Sequence, residues 1–584
     1  MPTQRFAHRF VRSACIALAL ILLVSIPALA AFTPSNGQAA KLVLGQPDFT
    51  SNASNTTRTG MNFPYAMAVD PTTHKVFVVE NNNSRVLRFA SVYALTNGAA
   101  AEAVFGQPNF TSNAGHTTQN GMNGPVSVFV DSGGRLWVAE YNNSRVLRFD
   151  HAATLPSGAN ANGVLGQAKF TSSISATNQH GMSGPIGVFV DASGRLWVAD
   201  CENHRVLRFD NAASKADGAN ADGVLGQPNF TSNGTATSQK GMGYPYGLAV
   251  DAGGRLWVSD GGNNRVLRFN NAASKANGAK ADGVLGQPDF TSNTYVTTRA
   301  GMYDPSGVTL DNASGRLYVS DFGNSRVLVF NAAVGLANGA NASYVLGQKD
   351  FTTGTANTGG ISSTTLYYPS AVFYDQAAKV LWVADTSNNR VLMYGNLFTS
   401  LSTTSTAAYD GWVLESTAAS HVGGSLSATG LLHIGDDASN RQYRSILSFN
   451  TAGLPDNAVI HSVTLKIKKS GVAGTDPLTS NALGSFVADI KKGSFGASAL
   501  EVGDFQATSS ASAVANFSPI DAGWYKLVLP ASDFTYINRT GVTQFRLRFS
   551  SASNNNHVAD YDSFYAGDST AADRPILSVQ YNLP

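Results

Sequence analysis

The sequence predicts an all-β protein, a six-bladed β-propeller followed by a β-sandwich, and three observations carry that prediction. A block containing Arg-Val-Leu begins at Arg85, Arg145, Arg205, Arg265, Arg326 and Arg390. A second block, Val-Leu/Phe-Gly-Gln, begins at Val43, Val104, Val164, Val224, Val284 and Val345. Self-similarity at a fixed period of about 60 residues marks a repeat architecture. After Tyr394 the repeat stops, and segments that mostly alternate apolar with polar residues take over.

Each repeat supplies four short apolar runs. In residues 241–290 they are Tyr246-Gly-Leu-Ala-Val-Asp251, Arg255-Leu-Trp-Val-Ser-Asp260, Arg265-Val-Leu-Arg-Phe269 and Val284-Leu-Gly-Gln287. All are of strand length, rich in β-branched or aromatic residues and bounded by Gly, Asn, Asp and Ser, and none has a helical period. Four strands per unit make a propeller blade. The first Val-Leu-Gly-Gln precedes every other strand, while the last unit ends without one. The N-terminal strand is therefore expected to complete the sixth blade and to cover the edges that an open array would expose.

The propeller is assigned to residues 41–396, and residues 397–408, rich in Ser and Thr, read as a flexible connection. In residues 409–584 the runs Ser445-Ile-Leu-Ser-Phe449, Val463-Thr-Leu-Lys-Ile467, Trp524-Tyr-Lys-Leu-Val-Leu529, Phe545-Arg-Leu-Arg-Phe549 and Ile576-Leu-Ser-Val-Gln-Tyr581 have the pattern of antiparallel strands with one buried face.

Pro245, Asp251, Val258, Asp260, Asn263, Arg265, Val266 and Phe269, with their counterparts in the other units, resemble the NHL repeat of β-propellers. The units here are longer, and the extra length lies in two loops typified by residues 270–282 and 288–301. Tyr443-Arg-Ser-Ile-Leu-Ser-Phe449, Ala458-Val-Ile-His-Ser-Val-Thr-Leu465 and Arg574-Pro-Ile-Leu-Ser-Val-Gln-Tyr581 resemble the DNRLRE-type jelly-roll module. That resemblance implies a relative of carbohydrate-binding modules and of bacterial surface domains.

Residues 1–30 read as a secretory signal peptide, with Arg5, Arg9 and Arg12 ahead of an uncharged run and Ala28-Leu29-Ala30 at its end. Export to the extracellular space or cell surface follows. The run is short for a membrane span, so no transmembrane segment is expected. With Cys15 in the leader, Cys201 stands alone and no intramolecular disulfide is expected. A charged fraction of 13% and a formal net charge of +2 give no large basic field, which argues against nucleic acid as a partner.

No zinc-hydrolase, nucleophile-elbow, phosphate-loop or EF-hand motif is present, so no catalytic residue is assigned. Glu80, Glu140, Asp200, Asp260, Asp321 and Asp385 each precede a repeated arginine by five positions, at Arg85, Arg145, Arg205, Arg265, Arg326 and Arg390. A hairpin turn would join each pair, and a structural latch suits six identical copies better than an acidic cation site. Arg88, Arg148, Arg208 and Arg268 read as stems buried between blades. Trp137, Trp197, Trp257 and Trp382, with Phe77 and Tyr318, read as inter-blade core. Cys201-Glu-Asn-His204 is the singular turn, open to a metal or nucleophile reading, but it lacks further ligands and reads as structural drift.

Ligand binding is expected on the face that carries the second-to-third-strand turns, where the aromatics Phe63, Tyr65, Tyr141, Tyr244, Tyr246, Tyr303, Phe322 and Tyr368 vary between copies. In the C-terminal domain, Tyr409, Trp412, Trp524, Tyr525, Tyr561 and Tyr565 are candidates for a sugar platform. Trp412 is the expected exposed ring, and at least one of Trp524 and Tyr525 should face the core. Asp436, Asp437, Asp560, Asp562 and Asp568 are candidate ligands for a structural calcium, with ordinary Asp-rich turns as the alternative; no other cofactor is expected. The expected function is non-catalytic recognition of a polysaccharide or protein ligand. A propeller lyase or hydrolase and a structural adhesin are the alternatives.

Overall fold

The computed structural model describes residues 32–582, so the expected leader and Cys15 lie outside the described residues. The chain divides into two compact units between Leu397 and Phe398. The first contains six four-stranded antiparallel sheets, one per repeat. In blade 4 the strands are Pro245–Val250, Leu256–Asp260, Arg265–Phe269 and Gly283–Leu285, each paired with the next. Blade 6 is completed from the other end of the propeller, since Leu42–Leu44 pairs with Arg390–Tyr394 in the register Leu42↔Met393, Val43↔Leu392, Leu44↔Val391. The expected closure is present.

Each acid five residues before an arginine ends the second strand of its blade, and the turn between them folds both side chains inward. Arg265 is fully buried and directs Nε to Asp260 Oδ2 at 2.7 Å. Its Nη2 donates to the carbonyls of Ser238 and Gly241, at 2.9 and 3.0 Å, and its Nη1 donates to that of Phe290. Asn263 Nδ2 and the Gly243 N–H complete the carboxylate shell at 2.9 and 2.6 Å. Because Phe290 lies on the loop leading into the next blade, each arginine ties two successive loops together. In blade 6, Arg390 makes the same bond to the carbonyl of Phe49 and joins the ring's ends.

Arg88, Arg148, Arg208 and Arg268 do more than bury a stem. Arg88 Nη1 donates to the carbonyls of Ala152 and Leu155 in the neighbouring blade's loop, at 2.7 and 2.8 Å, and Arg268 Nη1 does so to Val334 at 2.6 Å. The tryptophans, Phe77 and Tyr318 are buried between blades, each within 1% of full burial. Trp137, Trp197 and Trp257 donate Nε1–H to Asp131, Asp191 and Asp251, which close the turn after the first strand.

The second unit is a large curled, β-sandwich-like sheet network of thirteen strands. The long strand Val459–Ala473 joins its two parts. Its first portion pairs with Ile576–Asn582 and Trp524–Val528, and after an irregularity between Lys469 and Gly471 it pairs with Asp560–Phe564. Leu432, Ile434, Leu447, Phe449, Phe545 and Leu577 are among the core residues enclosed. Thr399–Thr404, inside the segment read as a flexible connection, is an edge strand paired with Ile576–Asn582. Its side chains alternate only in exposure, with Leu401 the one large apolar residue, so backbone hydrogen bonds rather than an apolar pattern define it.

Asp410 sits in this unit at 1% exposure and accepts the N–H groups of Ser448 and Gly567 at 2.9 and 3.0 Å. Burial nevertheless pushes its carboxyl up to about 7. Between the ordinary carboxylate range near pH 4 and about pH 7 the folded form thus holds a proton that the unfolded form has released, so stability falls as pH rises through this window. The unit is expected to lose roughly 2–4 kcal/mol between pH 4 and pH 8 through this group. Urea denaturation across that range checks it: Asp410→Asn should flatten the dependence, and an unchanged slope in that variant would reject the assignment.

Candidate functional site

On the face formed by the second-to-third-strand turns, every blade places a left-handed residue directly before the proline that opens its first strand. These are Phe63, Gly124, Gly184, Tyr244, Asp304 and Tyr368, with φ of 58, 59, 55, 53, 51 and 48°. Two blades use glycine, which adopts this conformation freely, while four hold a side chain there at a cost in strain. The blade before restrains most of them. Asn389 Oδ1 accepts the Phe63 N–H at 2.9 Å, Asn264 Oδ1 that of Asp304 at 2.8 Å, and His204 Nδ1 that of Tyr244 at 3.2 Å.

The result is an aromatic arc with two acidic groups beside it. Tyr244, Tyr303 and Tyr368 are 40%, 42% and 39% exposed. Phe322 stacks on Tyr368 with centroids 4.9 Å apart, and Phe63 lies 6.2 Å from Tyr65. Tyr65, Tyr141 and Tyr246 are half-buried and pack on the core cluster that contains Cys201. Tyr141 donates to Glu202 Oε1 at 2.5 Å. Asp304 has its carboxyl pushed up to about 6 by burial and by the charge of Asp321. The arc also includes Tyr295, 64% exposed with its ring 4.7 Å from Tyr303, and Tyr367, 4.8 Å from Tyr368. Sequence reasoning missed both, although Tyr295 occupies a loop position held by small residues in several sister copies, a legible signal.

In the second unit four half-buried rings from four strands meet. Trp412 stacks on His433 at 5.5 Å and 8° and meets Tyr443 edge-on at 5.1 Å. Tyr561 lies 4.6 Å from His433 and 5.3 Å from Tyr443. None of the four belongs to the unit's main core, so they form a separate cluster at the surface. Of the expected platform the structure thus unites Trp412 and Tyr561 and adds His433 and Tyr443. Trp524 and Tyr525 lie on another strand, where Tyr525 packs edge-on against Phe564. Tyr565 lies under Lys468, and Tyr409 ends the short turn Ala407–Tyr409.

The acidic candidates are dispersed. Asp436 and Asp560 face each other across neighbouring strands. Asp437 binds Arg441, Asp562 pairs with Lys469, and Asp568 accepts the Gly430 N–H. Among the described residues no group of three or more His, Cys, Asp or Glu is arranged to hold a metal.

The NHL repeat family model matches residues 122–149, 182–209, 242–269 and 302–330, which are the first three strands of blades 2 to 5. Blades 1 and 6 carry the same acid–arginine latch, through Glu80 with Arg85 and Asp385 with Arg390. Blades 2 to 5 match the NHL repeat. Among curated proteins the chain is similar to NHL repeat-containing protein 2 of Homo sapiens, 25% identical over 296 residues, and of Bos taurus, 24% identical over 295 residues. In both cases the match covers 46% of this chain and only 38% of the relative. Solved structures with similar folds include virginiamycin B lyase from Staphylococcus aureus, at 13% identity and a TM-score of 0.34, covering 59% of this chain and 97% of that one. A structural genomics protein of unknown function from Bacteroides thetaiotaomicron has 16% identity and a TM-score of 0.37, covering 61% and 75%.

Within the NHL-matched blades the singular turn of blade 3 has a structural explanation. His204 takes the left-handed place that Asn264, Ser325 and Asn389 take in other blades, with φ of 53°, and its ring nitrogen does the work of their side-chain oxygens toward the next blade. Burial lowers its pKa, which favours the neutral, accepting form. Cys201 is 1% exposed, and burial pushes its thiol up, away from the reactive thiolate.

Proposed function

We propose that this is an exported recognition protein in which the NHL propeller is a non-catalytic binding scaffold and the C-terminal unit binds glycan. The observation that carries the glycan reading is the cluster of Trp412, His433, Tyr443 and Tyr561. It presents partly exposed ring surface outside the core, and sugar stacks on such faces. The leader-like residues 1–30 support export. The propeller's tyrosine arc supports a polysaccharide or protein ligand on that face, since tyrosine offers large contact area at small entropic cost. No cofactor enters the proposal.

Trp412→Ala is expected to weaken binding of the full-length protein to immobilised polysaccharides at least tenfold while its thermal transition stays cooperative. Trp524→Ala, away from the cluster, should leave binding intact. If the native protein retains none of the polysaccharides on a broad glycan array, the adhesin reading replaces this one.

A further inference from the structure

The six innermost strands of the propeller enclose an axial cavity of about 370 Å³. That volume falls in the range of small-molecule sites, roughly 300–1,000 Å³. One strand position decides its shape. Aligned by register with the inter-blade aromatic of the second strand, it carries Phe129, Phe189 and Phe373 in blades 2, 3 and 6, but Ala68, Ala249 and Thr309 in blades 1, 4 and 5. Of the small residues Ala249 and Thr309 line the space, and the three phenylalanines wall it. All three are only half-buried although they sit on innermost strands, and the rings of Phe129 and Phe189 lie 4.5 Å apart.

The cavity runs along the innermost strands and reaches the turns that follow them. Toward the tyrosine face the strands converge on small residues. A Cβ on Gly187 would lie 2.2 Å from the Tyr246 carbonyl oxygen, and one on Gly247 would lie 2.4 Å from that of Ser306. Toward the opposite face the lining continues to Ser132, Asn312 and Gln376, in the turns after the first strands. Among the described residues the lining contains no Lys, Arg, His or Glu. Of its carboxylates, Asp191 is taken up by Ser193, Arg195 and Trp197, and Asp375 Oδ1 by the N–H groups of Ala377 and Ala378, while Asp375 Oδ2 has no hydrogen-bond partner and burial pushes that carboxyl up toward its neutral form.

We propose that this cavity binds a small uncharged molecule with an apolar body, an aromatic ring or short hydrocarbon chain, whose polar end rests at the Ser132, Asn312 and Gln376 rim. An anion would gain no counter-charge inside, and water would find few partners along the walls. The polar rim lies at the face opposite the tyrosine arc, and none of the arc's tyrosines lines the cavity, so this site is separate from the recognition surface proposed above.

The neutral fluorophore N-phenyl-1-naphthylamine, titrated into the full-length protein, is the probe. One saturable equivalent is expected. Ala249→Phe and Thr309→Phe each install the residue that three sister blades already carry at this position, and each should weaken binding at least tenfold. Tyr244→Ala, on the other face, should leave it unchanged. A crystal of the unaltered protein under xenon should show xenon between Phe129 and Ala249, a readout independent of how the variants fold. Probe binding that is absent or unsaturable, that survives both phenylalanine substitutions, or that falls with Tyr244→Ala would overturn the proposal, as would a cavity without xenon.

Discussion

Removal of residues 41–46 is expected to unfold the whole propeller, not to trim it. Leu42, Val43 and Leu44 are 5%, 0% and 0% exposed. Burying three such side chains stabilises by roughly 5–9 kcal/mol at ~1.5–3 kcal/mol each, comparable to the ~5–15 kcal/mol that holds a typical domain together. The deletion also removes Gln46, whose Nε2 bonds the Asn389 carbonyl at 2.9 Å, and leaves Arg390–Tyr394 as an open edge. Circular dichroism on heating should show the propeller transition lost or shifted to much lower temperature. A truncated protein that melts like the intact one would show that strand pairing in blade 6 is dispensable.

The second large effect is expected at the latch. Arg265→Ala leaves Asp260 buried with no opposite charge and four loop and turn contacts broken, at a cost of about 3–5 kcal/mol. Arg265→Lys should recover little of it, because a single ammonium cannot reach the carboxylate and three carbonyls lying in different directions. Arg268→Ala, three residues along the same strand and bonded mainly to the carbonyl of Val334, should cost distinctly less. Urea denaturation of the three variants checks the order, and equal losses at Arg265 and Arg268 would remove the latch from its central place.

The latch and the closing strand were legible in the sequence because repetition separates what every blade needs from what one blade happens to have. His204 looked singular by the same logic, yet its meaning lay in a bond to the next blade, at Tyr244, which spacing along the chain does not display. The aromatic cluster of the second unit was half legible. Trp412 and Tyr561 stood out as aromatics, but His433 and Tyr443 join them only through the register of strands distant in sequence. Thr399–Thr404 reads as a connection in the sequence because its partner strand, Ile576–Asn582, lies far along the chain. The axial cavity was invisible, since Ala249 and Thr309 acquire significance only beside Phe129, Phe189 and Phe373. The alternating segments after Tyr394 indicated a β-sandwich-like unit, and the curled sheet found is of that kind.

Closing the ring with the first strand also fixes a timetable for folding. Gln46 and Asn389 touch across 343 residues of chain, and the last blade has no outer strand until both ends are available. Blades 1 to 5 draw all four of their strands from neighbouring sequence and can assemble in order as the chain emerges, whereas the final pairing must wait for residue 394. Contacts this distant in sequence form slowly. For that interval a short apolar strand at one end and an unpaired edge at the other are both open to foreign partners, including a second copy of the same chain. Ring closure, the step that makes the finished propeller resistant to edge-to-edge association, is therefore also the step before which the nascent molecule is most exposed to it.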